Sequence, residues 1–194
     1  MLAHHADAPF IRAQTDGPPP DLAEWEQPIY DQVMSRLPPQ PPAPPRIDRE
    51  LGDGDEPGFG DGAVTVAVPG HTPGSIALYL PRHHVLFTGD AAARGQDGTV
   101  MCGVFNVNRA QAAASFRRLA GLRVGVSCFG HGEPLTQDAA AALEAAAATA
   151  DEPGTGRVNR NAAAEREPRP RCAPDPSSPS ATSPGPIGPR HAGD

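Results

Sequence analysis

Three side chains stand where a metal centre would draw its ligands: His71 in PGHTPG, Asp90 in FTGD and His131 in FGHGEP. Imidazole nitrogen and carboxylate oxygen are suitable direct ligands for zinc, and equally for iron or manganese, and a carboxylate can bridge two ions. Each residue follows a strand-like run: AVTVAVP precedes His71, VLFTGD ends in Asp90 and RVGVSCF precedes His131. Side chains leaving the C-terminal ends of separate strands can converge on one cleft. Glycines flank all three, and glycine permits close backbone approach and turns of unusual φ. Taken singly, each also has a plainer reading, the histidines as loop residues making surface bonds and Asp90 as a turn cap.

The elements that must position these residues are short. β-Branched and apolar runs predict strands at 63–69, 75–80 and 85–90, with PRHH as a tight turn between the last two. A helix is expected at 109–120, a strand at 123–129, and a second helix from Thr136, a good N-cap, through the alanine run to 150, with Asp138 in its first turn. Upstream, Leu22, Trp25, Ile29, Val33 and Leu37 recur at helical spacing, and Pro28 should break or kink that helix. PPQPPAPP at 38–45 predicts an extended polyproline insertion, a spacer or else a ligand for an aromatic groove. ELGDGDEPGFGDG at 50–62 is turn chemistry throughout.

The chain has 194 residues, enough for one domain, here placed at 1–150, plus a tail at 151–194 in which proline, serine and balanced charge predict disorder. The formal charge of −7, with no lysine, argues against nucleic acid as a partner. An odd count of cysteines (Cys102, Cys128, Cys172), without short spacing, argues for a reducing, cytoplasmic setting. No signal peptide or membrane span is read in the sequence.

PGHTPGSIALYL, followed by HHVLFTGDAA and then GVSCFGHGEPL, resembles the metallo-β-lactamase superfamily, in particular the small bacterial hydrolases similar to hydroxyacylglutathione hydrolases. The resemblance runs from about residue 1 to about 148, since AHHADAPFIR looks like the strand that follows the family's first metal loop. It implies an α+β fold, part of an αββα sandwich, and a centre of two zinc ions, with iron or manganese as alternatives. By position, His71 would hold the first ion, Asp90 would bridge, and His131 would hold the second. The activity implied is hydrolysis of an ester, thioester or lactone of a small molecule.

The family's H-x-H-x-D-H motif is not in this sequence. AHHADA at 3–8 offers His5 and Asp7 at two of its positions but alanine at two others, so His4, His5 and Asp7 are read as ordinary strand-end residues. With few ligands per ion, tight metal binding is not expected, and the chain reads as a truncated, impaired or inactive hydrolase. Catalytic residues are therefore left unassigned. The rival reading is a non-catalytic domain acting through interactions, with self-association at an exposed sheet edge. A third is a di-iron oxidoreductase. His83 and His84 are expected on the surface and Cys128 in the core. Cys102 reads as a buried thiol, Trp25 and Tyr30 as packing or a substrate mouth, and Arg109, Arg117 and Arg118 as a solvated face or an anion patch.

Overall fold

The computed structural model describes residues 1–40 and 42–150. The expected tail at 151–194, including Cys172, lies outside the described residues.

The chain opens with strand β1 (Leu2–His4), one short helical turn α1 (Ala8–Ile11) and helix α2 (Gln27–Met34). Strand β2 (Arg49–Leu51) returns to pair in parallel with β1. Then come β3 (Val64–Ala67), β4 (Ile76–Leu80) and β5 (Val85–Phe87), a 3-10 turn at Gly89–Ala91, and the short strands β6 (Ala92–Arg94) and β7 (Val100–Cys102). Helix α3 (Arg109–Ala120), strand β8 (Val126–Cys128) and helix α4 (Ala139–Ala148) follow.

The main sheet has the order β3-β4-β5-β8. β3 and β5 are both antiparallel to β4, and β8 is parallel to β5, so β3, β5 and β8 all point the same way. Their C-terminal ends share one edge of the sheet, and His71, Asp90 and His131 come from the three connections leaving that edge. The parallel β5–β8 pair needs a long crossover, and α3 provides it.

Phe116 and Leu119 of α3, Leu86 of β5 and Leu143 of α4 are fully buried, and Val66, Val68 and Ala77 pack with them. The α3 sequence dictates this orientation. Ala112, Phe116 and Leu119 form its inward stripe, while Arg117 and Arg118 lie outside in the last turn, where cations suit the helix dipole. Asn108 caps the start, its side chain accepting from the Gln111 amide at 3.0 Å.

The architecture is α+β, as expected, with local corrections. Pro28 does not break a longer helix but sits in the first turn of α2, where its missing N–H costs nothing, and Asp21–Glu26 are non-helical. Val33 and Leu37 of the expected apolar face are exposed, as is the neighbouring Met34. The acidic and glycine-rich stretch is not turn throughout, because Glu50 and Leu51 belong to β2. Helix α4 starts at Ala139 with Asp138 as its N-cap, not at Thr136. The cause is Leu135, whose backbone exchanges hydrogen bonds of 2.9 and 2.8 Å with Ser127 and holds the preceding chain extended. The described part of 38–45 is exposed and forms neither helix nor strand.

Candidate metal centre

His71 ends the turn Val68–Gly70 that follows β3. Gly70 adopts φ +142°, and a Cβ there would run into the Ala112 backbone at the start of α3, so only glycine fits. Asn108 N–H donates to the Gly70 carbonyl at 3.0 Å and Val107 N–H to the His71 carbonyl at 3.4 Å, which seats the turn against the segment before α3. The half-buried His71 ring makes a 3.0 Å bond between Nδ1 and the Val104 carbonyl. A carbonyl only accepts, so Nδ1 carries a proton, and in the neutral ring the lone pair is then on Nε2. This is the tautomer a metal-ligating histidine needs, with its other nitrogen oriented by a backbone oxygen.

Asp90 stands in the 3-10 turn after β5. Its carboxylate faces a backbone with no side chain: a Cβ on Gly130 would overlap Oδ1 and lie 3.0 Å from the Gly89 carbonyl. His131 follows β8 and is held by β6. Arg94 N–H donates to the His131 carbonyl at 2.9 Å, and the Arg94 guanidinium donates to the carbonyls of Gly98 at 3.2 Å and Pro134 at 3.1 Å. Gly132, at φ +96°, lets that loop turn against the Arg94 carbonyl. The His131 side chain is 79% exposed, against 26% for His71 and 42% for Asp90.

The structure thus brings the three predicted residues together. His71 Nε2 lies 3.6 Å from Asp90 Oδ2, and His131 Nε2 lies 3.6 Å from Asp90 Oδ1. Each imidazole addresses a different oxygen of one carboxylate, the pattern by which a bridging carboxylate would share two ions between two histidines. The donor types and the cradle at Gly130 fit such a group. They do not complete it: among the described residues no cluster of three or more His, Cys, Asp or Glu side chains converges on a single ion.

Residues 2–131 match the family model of the metallo-beta-lactamase superfamily, a span containing all three site residues. The chain belongs to that superfamily. Among curated relatives, it is 53% identical over 47 residues to a hydroxyacylglutathione hydrolase of Brucella anthropi, covering 24% of this chain and 18% of the relative. It is 36% identical over 89 residues to a hydroxyacylglutathione hydrolase of Fuscovulum blasticum, covering 45% of this chain and 33% of the relative. The chain therefore spans a third or less of the length of these relatives. A metallo-beta-lactamase family protein of Thermus thermophilus superposes at a TM-score of 0.49 with 20% identity, covering 76% of this chain and 50% of the other. A protein crystallised in a di-iron-bound form gives 0.49 and 24% identity over 70% of this chain and 58% of its own.

Away from these three residues, the other chemistry-bearing side chains sort clearly. His83 and His84 are exposed at the far end of β4 and β5, His83 lying 3.7 Å from Asp61. Burial, with a further push from Glu26, raises the Cys102 thiol to about 11, so it is protonated at neutral pH. Cys128, expected in the core, is only half-buried. Arg118 binds Asp53 at 2.8 Å and the Ala67 carbonyl at 2.9 Å, anchoring α3 to the loop before β3, and that pair lowers the Asp53 carboxyl. Arg109 and Arg117 are exposed on α3. Tyr30 packs edge-on against Phe105 at 5.5 Å, and Trp25 is half-buried.

Two residues matter more than their sequence context indicates. Glu26 is buried and accepts from Phe105 N–H at 2.9 Å and Ala23 N–H at 2.7 Å, so it fixes the loop whose Val104 carbonyl orients His71. Asp7, read as an ordinary strand-end residue, reaches across to the residues that follow His71. In the sequence the first shows only as an acid with no basic neighbour, and the second as an aspartate just past a strand end.

Proposed function

We propose that this chain supplies the bridging carboxylate, Asp90, and one histidine per ion, His71 and His131, of a dinuclear metal centre in a hydrolase acting on thioesters of the hydroxyacylglutathione class. The observation that carries this reading is the placement of the two imidazoles on opposite oxygens of one carboxylate, at 3.6 Å each. The relatives' names point to the thioester. Zinc, iron and manganese all suit nitrogen and carboxylate donors. Bound there, the ions supply Lewis acidity toward a carbonyl oxygen and make water more acidic. The chain's own part is to hold the bridge rigid through Gly130 and the 3-10 turn, and to present His71 in one tautomer.

The test is release of free thiol from a hydroxyacyl thioester of glutathione by the full chain supplied with zinc, iron or manganese. Metal-dependent release that disappears in Asp90→Ala supports the proposal. A chain that binds metal in stoichiometric amount yet releases no thiol overturns it.

A second reading has one observation in its favour, the lack of a third ligand for either ion among the described residues. Under it the domain is non-catalytic and works by association, with the edge strands β3 and β8 as the surface for a second copy. A metal-free dimer by ultracentrifugation, unchanged by Asp90→Ala, would favour this over hydrolysis. Among the described residues no helix is long and apolar enough to cross a membrane.

A further inference from the structure

We propose that Asp7 is a positioning residue for His71, acting through the turn at 72–75. Its second test rests on the reading of His71 as a metal ligand; its first does not.

Asp7 is the N-cap of α1, yet its side chain makes no capping bond to its own helix. An N-cap aspartate ordinarily accepts from the second or third amide of the helix it starts. Here the carboxylate is spent on a segment 65 to 67 residues away in sequence: Oδ2 accepts from the Thr72 hydroxyl at 2.5 Å and Oδ1 from the Gly74 amide at 2.7 Å. Thr72 is in turn tied to Ser75, through its amide at 2.9 Å and its hydroxyl at 2.8 Å. The Thr72 carbonyl accepts from Gly70 N–H at 3.0 Å, on the other side of His71. The residues bracketing His71 are thus closed into one hydrogen-bonded turn, and Asp7 is its external anchor.

The fit is close enough to specify both partners. A Cβ on Gly74 would lie 2.7 Å from Asp7 Cγ and 2.7 Å from its amide nitrogen, so no larger residue lets the carboxylate approach. Asp7 is itself fixed by backbone bonds. Its N–H donates to the His4 carbonyl at 3.1 Å and its carbonyl accepts from Ile11 at 3.0 Å, while the Ala6 amide donates to His4 Nδ1 at 3.2 Å. His71 is therefore steered from two sides, by Val104 at the ring and by Asp7 through the backbone. Ligand geometry held this way is what confers metal affinity in sites of this type.

The first test reads the imidazoles of the metal-free full chain by long-range proton–nitrogen NMR, with His71 assigned from His71→Gln. Wild type is expected to show one His71 tautomer, protonated at Nδ1. In Asp7→Ala the His71 resonances shift or split between tautomers, while His131 and His83 stay in place. Asp7→Asn restores the wild-type His71 signal, because an amide can accept from Gly74 and donate to the Thr72 oxygen. If Asp7→Ala fails to fold, Thr72→Val, which removes one of the two bonds, carries the test. An unchanged His71 ring in the folded variants overturns the proposal, as does an equal disturbance of all three histidines. The second test titrates cobalt(II): Asp7→Ala should weaken binding by about 10-fold or more, with Asp7→Asn near wild type. If wild type binds no cobalt, the metal-site reading fails, and the NMR result still decides the role of Asp7.

Discussion

Gly130→Ala is the sharpest available perturbation of the site, because it adds one methyl group and changes no charge. The backbone at Gly130 lies outside the left-handed region, so alanine is conformationally acceptable there and only the new Cβ matters. That Cβ would overlap Asp90 Oδ1 and meet the Gly89 carbonyl at 3.0 Å, which is backbone and cannot swing away. Non-bonded carbon and oxygen prefer about 3.5 Å, so the carboxylate must retreat by on the order of 1 Å. Metal–ligand distances tolerate only about 0.2 Å. A displaced bridge should therefore weaken both ions together, by roughly 10- to 100-fold. The overpacking cost to stability should be about 1–3 kcal/mol. The assay is a cobalt(II) titration beside a urea melt. Gly125→Ala serves as control, since its Cβ would meet only His84 atoms at 3.5 Å and beyond. Cobalt affinity in Gly130→Ala equal to that of the control would refute the idea that Asp90 is held for metal by the absence of a side chain opposite it.

Phe116→Ala and Leu143→Ala each empty a fully buried position between α3, α4 and the sheet, and each should cost about 2–5 kcal/mol in urea melts. Cys102, raised to about 11 by burial and by Glu26, should hold on the order of 100-fold less thiolate at pH 8 than a thiol at 9, and peptide mapping after iodoacetamide should show correspondingly slow labelling. His4 has its pKa lowered from 6.5, first by burial and then by His5. The unfolded chain then binds more protons than the folded one just below pH 6.5, so stability should fall as pH drops from 6.5 toward the folded-state pKa, and His4→Asn should flatten that slope.

How much was legible in the sequence depended on how local each signal was. Helix α3 was readable to its ends because Asn108 caps it and a complete apolar stripe runs along it. β3, β4 and β5 were readable from their β-branched and apolar composition, and the three site residues followed from standing just past strand ends. β6 and β7 were not read, since three-residue strands such as AAR and VMC carry no periodicity. The start of α4 was misplaced because a tertiary pairing, Ser127 with Leu135, overrode the capping preference of Thr136. Asp7 reads in the sequence as an ordinary strand-end residue and Glu26 carries no signal for the same reason: their partners lie 65 and 79 residues away, beyond any window of local pattern.

The central claim is that one carboxylate, Asp90, joins two histidine-bearing metal positions. Metal stoichiometry at saturation, measured on wild type, His71→Ala, His131→Ala and Asp90→Ala, tests it most directly. The account predicts that each histidine variant loses one binding event and that Asp90→Ala loses both. Asp90→Ala retaining the wild-type stoichiometry would contradict it.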